Sequence, residues 1–168
     1  MGADVHSRFD ARRYAEGLGV FILGPEELDL TPSALHQLTV MDSSSWSGMT
    51  VRTKAATGIV VNTSHSPERI ASTIAHELAH IELRHTPSNV SLSQSGKILL
   101  ISEYTKELEE EADWLAGAIL LPRDGLLRSR ANGASTEAIC RHFGVSRDLC
   151  AWRLRMTGVD LQLRRRET

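Results

Sequence analysis

Apolar residues recur along this chain with two different periods. Between Pro67 and Arg84, Ile70, Ile74, Leu78 and Ile81 fall at spacings of four, four and three, which marks one apolar stripe on an α-helix. Ser66-Pro67, with Glu68 behind it, supplies an N-cap, a first-turn proline and an acidic first turn. A second long helix is predicted from Tyr104 to Leu121, with Tyr104, Leu108, Ala112, Leu115 and Ile119 as its stripe and Pro122 as its stop. Shorter β-branched runs read as strands: Gly19–Leu23, ended by Gly24-Pro25, Met49–Arg52 after a polar turn, and Gly58–Asn62. Residues 7–17 read as a short amphipathic helix. The stretch 26–42 is undecided, with Thr31-Pro32 as a helix start, and 86–103 reads as a loop with a strand at Ile98–Ile101. Two short helices, Ser135–Phe143 and Ser146–Met156, close the pattern. The fold class is α+β, a small and mainly antiparallel sheet followed by helices.

Composition narrows this picture. At 168 residues, 41% hydrophobic and 24% charged, the chain has the make-up of an ordinary globular domain with room for a small appended module. No apolar run approaches the roughly 18 residues that span a bilayer. The polar stretch Met1–Arg13 lacks the apolar segment of a secretory signal, so a cytoplasmic location is expected. The net charge of −2 hides an asymmetry. Residues 1–122 hold 9 Lys+Arg against 16 Asp+Glu, whereas 123–168 hold 10 Arg against 5 acidic residues. That shift suggests a boundary, with residues 1–122 forming one domain and 123–168 a basic helical module.

The candidate chemistry lies in the first long helix. His76-Glu77-Leu78-Ala79-His80 is an H-E-x-x-H sequence. Residues four apart on a helix lie one above the other, so both imidazoles can reach one metal ion. The glutamate after the first histidine projects beside that ion, where it can act as general base. Zinc held this way acidifies a coordinated water to a pKa of roughly 7 and polarises a carbonyl, which is peptide-bond chemistry. With Ile70 at zero and 100° per residue, the stripe covers roughly 0–80°, His76 and His80 fall at roughly 240° and 280°, and Glu77 at roughly 340°. Such positions line a cleft.

A catalytic zinc needs a third protein ligand. The extended H-E-x-x-H-x-x-G-x-x-H pattern fails here: Leu83 and Thr86 stand at the glycine and histidine places, and His85 misses by one residue. The second helix offers Glu107, Glu109, Glu110 and Glu111 instead. With Leu108 at zero, Glu109 falls at about 100° and Asp113 at about 140°, on the side carrying small Ala116, while Glu110 falls at about 200°. Periodicity therefore assigns Glu109 as third ligand and Asp113 as the acceptor that orients a ligating histidine. Glu107, Glu110 and Glu111 read as a solvated acidic face.

Three blocks in this order carry a family resemblance. They are Ile59-Val60-Val61-Asn62, then Ile74–His80, then Glu109-Glu110-Glu111-Ala112-Asp113-Trp114-Leu115-Ala116 with Leu120-Leu121-Pro122. The arrangement resembles the ImmA/IrrE zinc metallopeptidases over residues 10–158. The first glutamate of that family's second helix, its third zinc ligand, falls on Glu109. Leu115 replaces a usual aromatic residue and Ala79 a frequent glycine; neither place carries a catalytic role. The resemblance implies a substrate class as well: a helix-turn-helix transcriptional repressor cut at one site.

Ser135–Met156 has the apolar, turn and cap places of a helix-turn-helix, with Arg147, Asp148, Ala151 and Arg155 outward on its second helix. Arg147, Ala151 and Arg155 are thus candidate contacts to DNA or to a protein partner. Cys140 and Cys150 fit that module's buried places and read as inert core thiols. Two alternatives stay open. One is a DNA-binding regulator with a structural metal site; the other is the toxin of a toxin–antitoxin pair with a masked cleft. Tyr104 and His85 are candidates for stabilising an oxyanion, and the strand before the metal helix is a candidate edge for an extended substrate. The sequence leaves open the cleavage site, the activating signal and the oligomeric state.

Overall fold

A computed structural model describes residues 5–53, 55–92 and 99–165. It is α+β. Helix α1 (Ala11–Gly17) leads into strand β1 (Val20–Leu23), followed by a short helix α2 (Pro32–His36) that widens into a looser turn at Gln37–Met41. Strands β2 (Gly48–Arg52) and β3 (Thr57–Val61) precede the long helix α3 (Pro67–Glu82). A hairpin, β4 (Asn89–Leu92) and β5 (Leu99–Glu103), delivers the chain to α4 (Lys106–Leu120). Four further helices follow: α5 (Arg123–Ala131), α6 (Thr136–Phe143), α7 (Arg147–Thr157) and α8 (Val159–Arg164).

The sheet runs β1-β3-β2-β5-β4, with β1 parallel to β3 and every other pair antiparallel. The expectation that the strand before α3 offers a substrate edge is wrong, because β1 and β2 occupy both sides of β3. Three elements were not anticipated. Strand β4, Asn89-Val90-Ser91-Leu92, alternates polar and apolar residues over only four positions, too short a run to stand out, and pairs with β5. Helix α5 is arginine-rich with few apolar residues, and the apolar residues of α8, Val159, Leu161 and Leu163, alternate along too short a run to mark a helix. Of the strand expected at 98–101, residue 98 lies outside the described residues. Among the described residues no helix is long and apolar enough to cross a membrane.

Helix α3 sits between two apolar clusters. Its Ile74 and Leu78 pack with Ala11, Ala15, Val20, Ile59 and Val61, closing the sheet and α1 beneath it. Its Ala75 and Ala79 instead face Ala112 and Ala116 of α4. Alanine on both surfaces lets the two backbones approach closely. The buried face of α4 is accordingly Ala112, Ala116, Gly117 and Leu120, while Leu108, Leu115 and Ile119 of the expected stripe are only half-buried. The same cluster continues through Leu121, Leu126, Ile139, Phe143, Cys150, Leu154 and Val159, so one core joins α3 and α4 to the C-terminal helices.

Two arginines of the basic quarter serve packing rather than the surface. Arg153 is buried, its Nε and Nη2 donating to the Leu121 carbonyl at 3.3 and 3.2 Å, which satisfies a carbonyl at the end of α4. Arg130 donates to Asp160, to the Ala134 carbonyl and to Thr136. Close by, a Cβ on Gly117 would lie 2.5 Å from Trp152 and 2.9 Å from the Arg153 side chain. Gly117→Ala gains helix propensity of about 1 kcal/mol. The overpacking it forces at a stiff indole is larger, so the urea midpoint is expected to fall by the equivalent of about 1–2 kcal/mol. An unchanged or raised midpoint would show that α7 can withdraw at no cost.

Cys150 is buried beside half-buried Cys140. Burial first, then Cys140, pushes its thiol up to about 12. Since the thiolate is the reactive form, Cys150 should resist maleimide at pH 8 in the native protein and react once denatured. In the unfolded chain the same thiol ionises at about 8.5. Its contribution to stability is therefore complete below that pH and lost as pH rises towards 12. Urea midpoints measured on either side of pH 9 read this directly.

Candidate metal centre

The local sequence places each donor. Ser66 caps α3 by accepting from the Arg69 amide, and Pro67 fixes the first turn, so the helix phase is set before His76 is reached. His76 and His80 follow Ala75 and Ala79 by one residue each and stand on the face adjoining α4. From α4, Glu109 turns its Oε2 to 3.1 Å from His76 Nε2 and 3.7 Å from His80 Nε2, and the two Nε2 atoms are 3.0 Å apart. Among the described residues these three form the trio whose ligand atoms all lie within 4.8 Å of one another. Donors bound at about 2.0–2.1 Å to a tetrahedral zinc ion sit about 3.3 Å apart, so the observed spacing fits such an ion.

The far sides of both imidazoles are held. His76 Nδ1 lies 2.9 Å from Asp113 Oδ1. His80 Nδ1 lies 2.9 Å from His85 Nδ1, and His85 Nε2 lies 3.3 Å from Glu111 Oε2. One tautomer set satisfies the chain: His80 donates to His85, His85 donates to Glu111, and both ligand Nε2 atoms keep their lone pairs for a metal. His85 reaches this place because Arg84 adopts a left-handed backbone (φ 56°), which ends α3 and folds the chain back over His80. His85 therefore braces the Nδ1 side of the His80 imidazole and does not face an oxyanion, contrary to one sequence expectation. Glu111 likewise is more than solvated surface. Tyr104, the other oxyanion candidate, stacks its ring on that of His80, with centroids 3.7 Å apart and 18° between planes.

Electrostatics separate the two histidines. Burial, then the neighbouring imidazoles of His76 and His85, lowers His80 to about 4, so its ring is neutral at physiological pH. Burial also pulls His76 down. The hydrogen bond to Asp113 and the carboxylates of Glu77, Asp113 and Glu109 outweigh it, and the His76 pKa is raised. Glu77 projects beside this pair, its Oε2 accepting from Thr50 Oγ1 at 2.6 Å. Burial raises the Glu77 pKa against the opposing pull of the Thr50 hydrogen bond and of His76. Thr50, wholly buried on β2, is a site residue that no sequence pattern marks, since threonine in a strand needs no other explanation. His76, Glu77 and Glu109 line an open cleft of about 410 Å³ together with Ser47, Gly48, Arg69 and Thr73.

Away from this centre, Arg147, Ala151 and Arg155 are exposed on α7, as is Asp148. Arg147 Nη2 lies 3.5 Å from Glu137 Oε1 of α6. Gly144, in the left-handed region (φ 66°), makes the turn between α6 and α7, and Ser146 caps α7.

A family model described as the IrrE N-terminal-like domain, Peptidase_M78, matches residues 35–155. No curated protein and no solved structure matches the chain. The matched segment runs from α2 through most of α7 and contains every donor of the trio and both of its braces. The chain therefore belongs to the Peptidase_M78 family of metallopeptidases.

Proposed function

We propose that the protein is a zinc-dependent endopeptidase, with His76, His80 and Glu109 holding the ion and Glu77 as general base, acting on a helix-turn-helix transcriptional repressor. The observation that carries this reading is the convergence of three donor atoms from two helices beside a half-buried carboxylate that stands outside the trio. Zinc, when bound, supplies a Lewis acid that acidifies water and polarises a carbonyl. The rest is the work of this chain. Thr50 fixes one oxygen of Glu77 and leaves the other to accept the proton of an attacking water. The same carboxyl then returns that proton to the leaving amine nitrogen. Asp113 and the His85–Glu111 pair keep the two imidazoles in one tautomer and one orientation. Tyr104 covers one face of His80, and the cleft beside Arg69 and Thr73 leaves room for an extended chain.

The repressor as substrate follows from the family resemblance. A DNA-binding role for α7 is disfavoured by its surroundings. Asp148 of α7 shares a hollow with Glu110 and Asp113, so phosphates approaching that side would meet carboxylates. The test is direct. Zinc-loaded protein is incubated with a proteome-derived peptide library and with a repressor encoded beside it, and new termini are read by mass spectrometry. Cleavage that stops with 1,10-phenanthroline and returns with zinc supports the reading. Intact peptides and intact repressor throughout would overturn it.

A further inference from the structure

Beside the metal centre, on the far side of Asp113 from His76, α4 and α7 enclose a hollow of about 590 Å³. Its wall is aromatic: Trp114 and Trp152 meet edge to face, ring centroids 5.5 Å apart, and Trp114 and Met156 are each more than 40% exposed. Its rim is acidic, formed by Glu110, Asp113 and Asp148. Among the described residues Arg153 is the cation over the indoles; it is buried, with its guanidinium 5.8 and 5.7 Å from the two ring centroids and its hydrogen bonds given to Leu121. Lys106 Nζ sits 3.6 Å from Glu110, a single exposed pair that solvent screens.

We infer that this hollow is a specificity pocket that receives a basic side chain, arginine or lysine, from the protein substrate. The inference deepens the endopeptidase reading and rests on it. A long aliphatic stem ending in a cation matches an aromatic wall with a carboxylate rim, because the stem packs on the indoles while the charge meets π-faces and carboxylates. A purely apolar side chain would bring the acidic rim no cation beyond the exposed Lys106, and an acidic one would be repelled by it. Position supports the same occupant. Asp113 borders both the pocket and the Nδ1 side of the His76 imidazole, so the pocket lies one carboxylate behind the metal centre, where a residue more distant along a bound substrate can reach it.

Two of the three tryptophans line the pocket, which gives a readout independent of hydrolysis. The full-length chain is titrated with N-acetyl-Gly-Arg-Gly-amide while tryptophan emission is followed, alongside peptides carrying norleucine or glutamate in place of arginine. The arginine peptide is expected to bind at least about tenfold more tightly than the norleucine peptide, and the glutamate peptide not measurably. Asp148→Asn and Glu110→Gln, both at exposed positions that leave the core intact, should each erase most of that preference. Equal affinity for arginine and norleucine, or a preference that survives both substitutions, would overturn the pocket. Library cleavage separates this from the reading beneath it. Arginine or lysine enriched at one subsite in the wild type, and no longer enriched in Asp148→Asn, supports the pocket. Arginine-selective binding without any hydrolysis would instead sink the endopeptidase and leave a basic-peptide site standing. Hydrolysis with no basic preference would do the reverse.

Discussion

Glu77→Gln is expected to lose hydrolysis by at least about 10²–10⁴-fold while zinc stays in place. The two side chains have the same shape, and the amide oxygen can still accept from Thr50 Oγ1, so neither the packing of this half-buried position nor the α3–β2 contact is disturbed. What is lost is a basic oxygen able to take a proton from water and return it to an amine. Since the donor trio does not include Glu77, metal content should match the wild type. Kcat/KM on a library-derived peptide and zinc content by mass spectrometry are the two readings. Undiminished turnover would remove Glu77 from the chemistry. Lost zinc would mean that the substitution acts on the site's architecture instead.

Thr50→Val tests the same carboxylate from the other side. It should slow turnover and leave zinc bound, because the hydroxyl only fixes the orientation of Glu77.

Much of this arrangement could be read from local pattern, and the rest could not, for identifiable reasons. The start of α3 was visible because Ser66-Pro67-Glu68 specifies a helix N-terminus by itself. The position of Glu109 relative to the histidines was visible because helical phase fixes which glutamate of a run faces a small-residue surface. The stripe of α4 was misjudged by about one residue, since leucine and isoleucine outweigh alanine in any hydropathy pattern although alanine forms the close contact with α3. Spacing excludes His85 from the ligand pattern and leaves it only as an oxyanion candidate; its place behind His80 depends on a left-handed backbone at Arg84, which no periodicity reveals. Thr50 and Glu77 are 27 residues apart and meet only through the sheet. The buried Arg153 was unreadable for a further reason. Arginine in a basic helix looks like surface until a helix end and two indoles close around it.

Removing Glu109 should separate the acidic residues of α4 by function. Glu109→Ala is expected to weaken zinc binding by more than about 100-fold, beyond the 10–100-fold that outer partners of metal-bound histidines usually contribute. Its carboxylate is the one oxygen in the trio, and without it two imidazoles remain for an ion that takes three protein ligands in a catalytic site. Glu110→Ala should leave affinity unchanged, since that side chain pairs with Lys106 on the outer surface. Asp113→Ala and Glu111→Ala should fall between them, within the 10–100-fold range, because each acts through the tautomer of a histidine it does not replace. Competition against a chromophoric chelator measures all four on one scale. The order matters more than any single value. Affinity graded from Glu109 through Asp113 and Glu111 to Glu110 is what two braced imidazoles and one carboxylate require. Equal losses at all four positions would reduce the effect to the general negative charge of α4, and an unaffected Glu109→Ala would place the third ligand elsewhere.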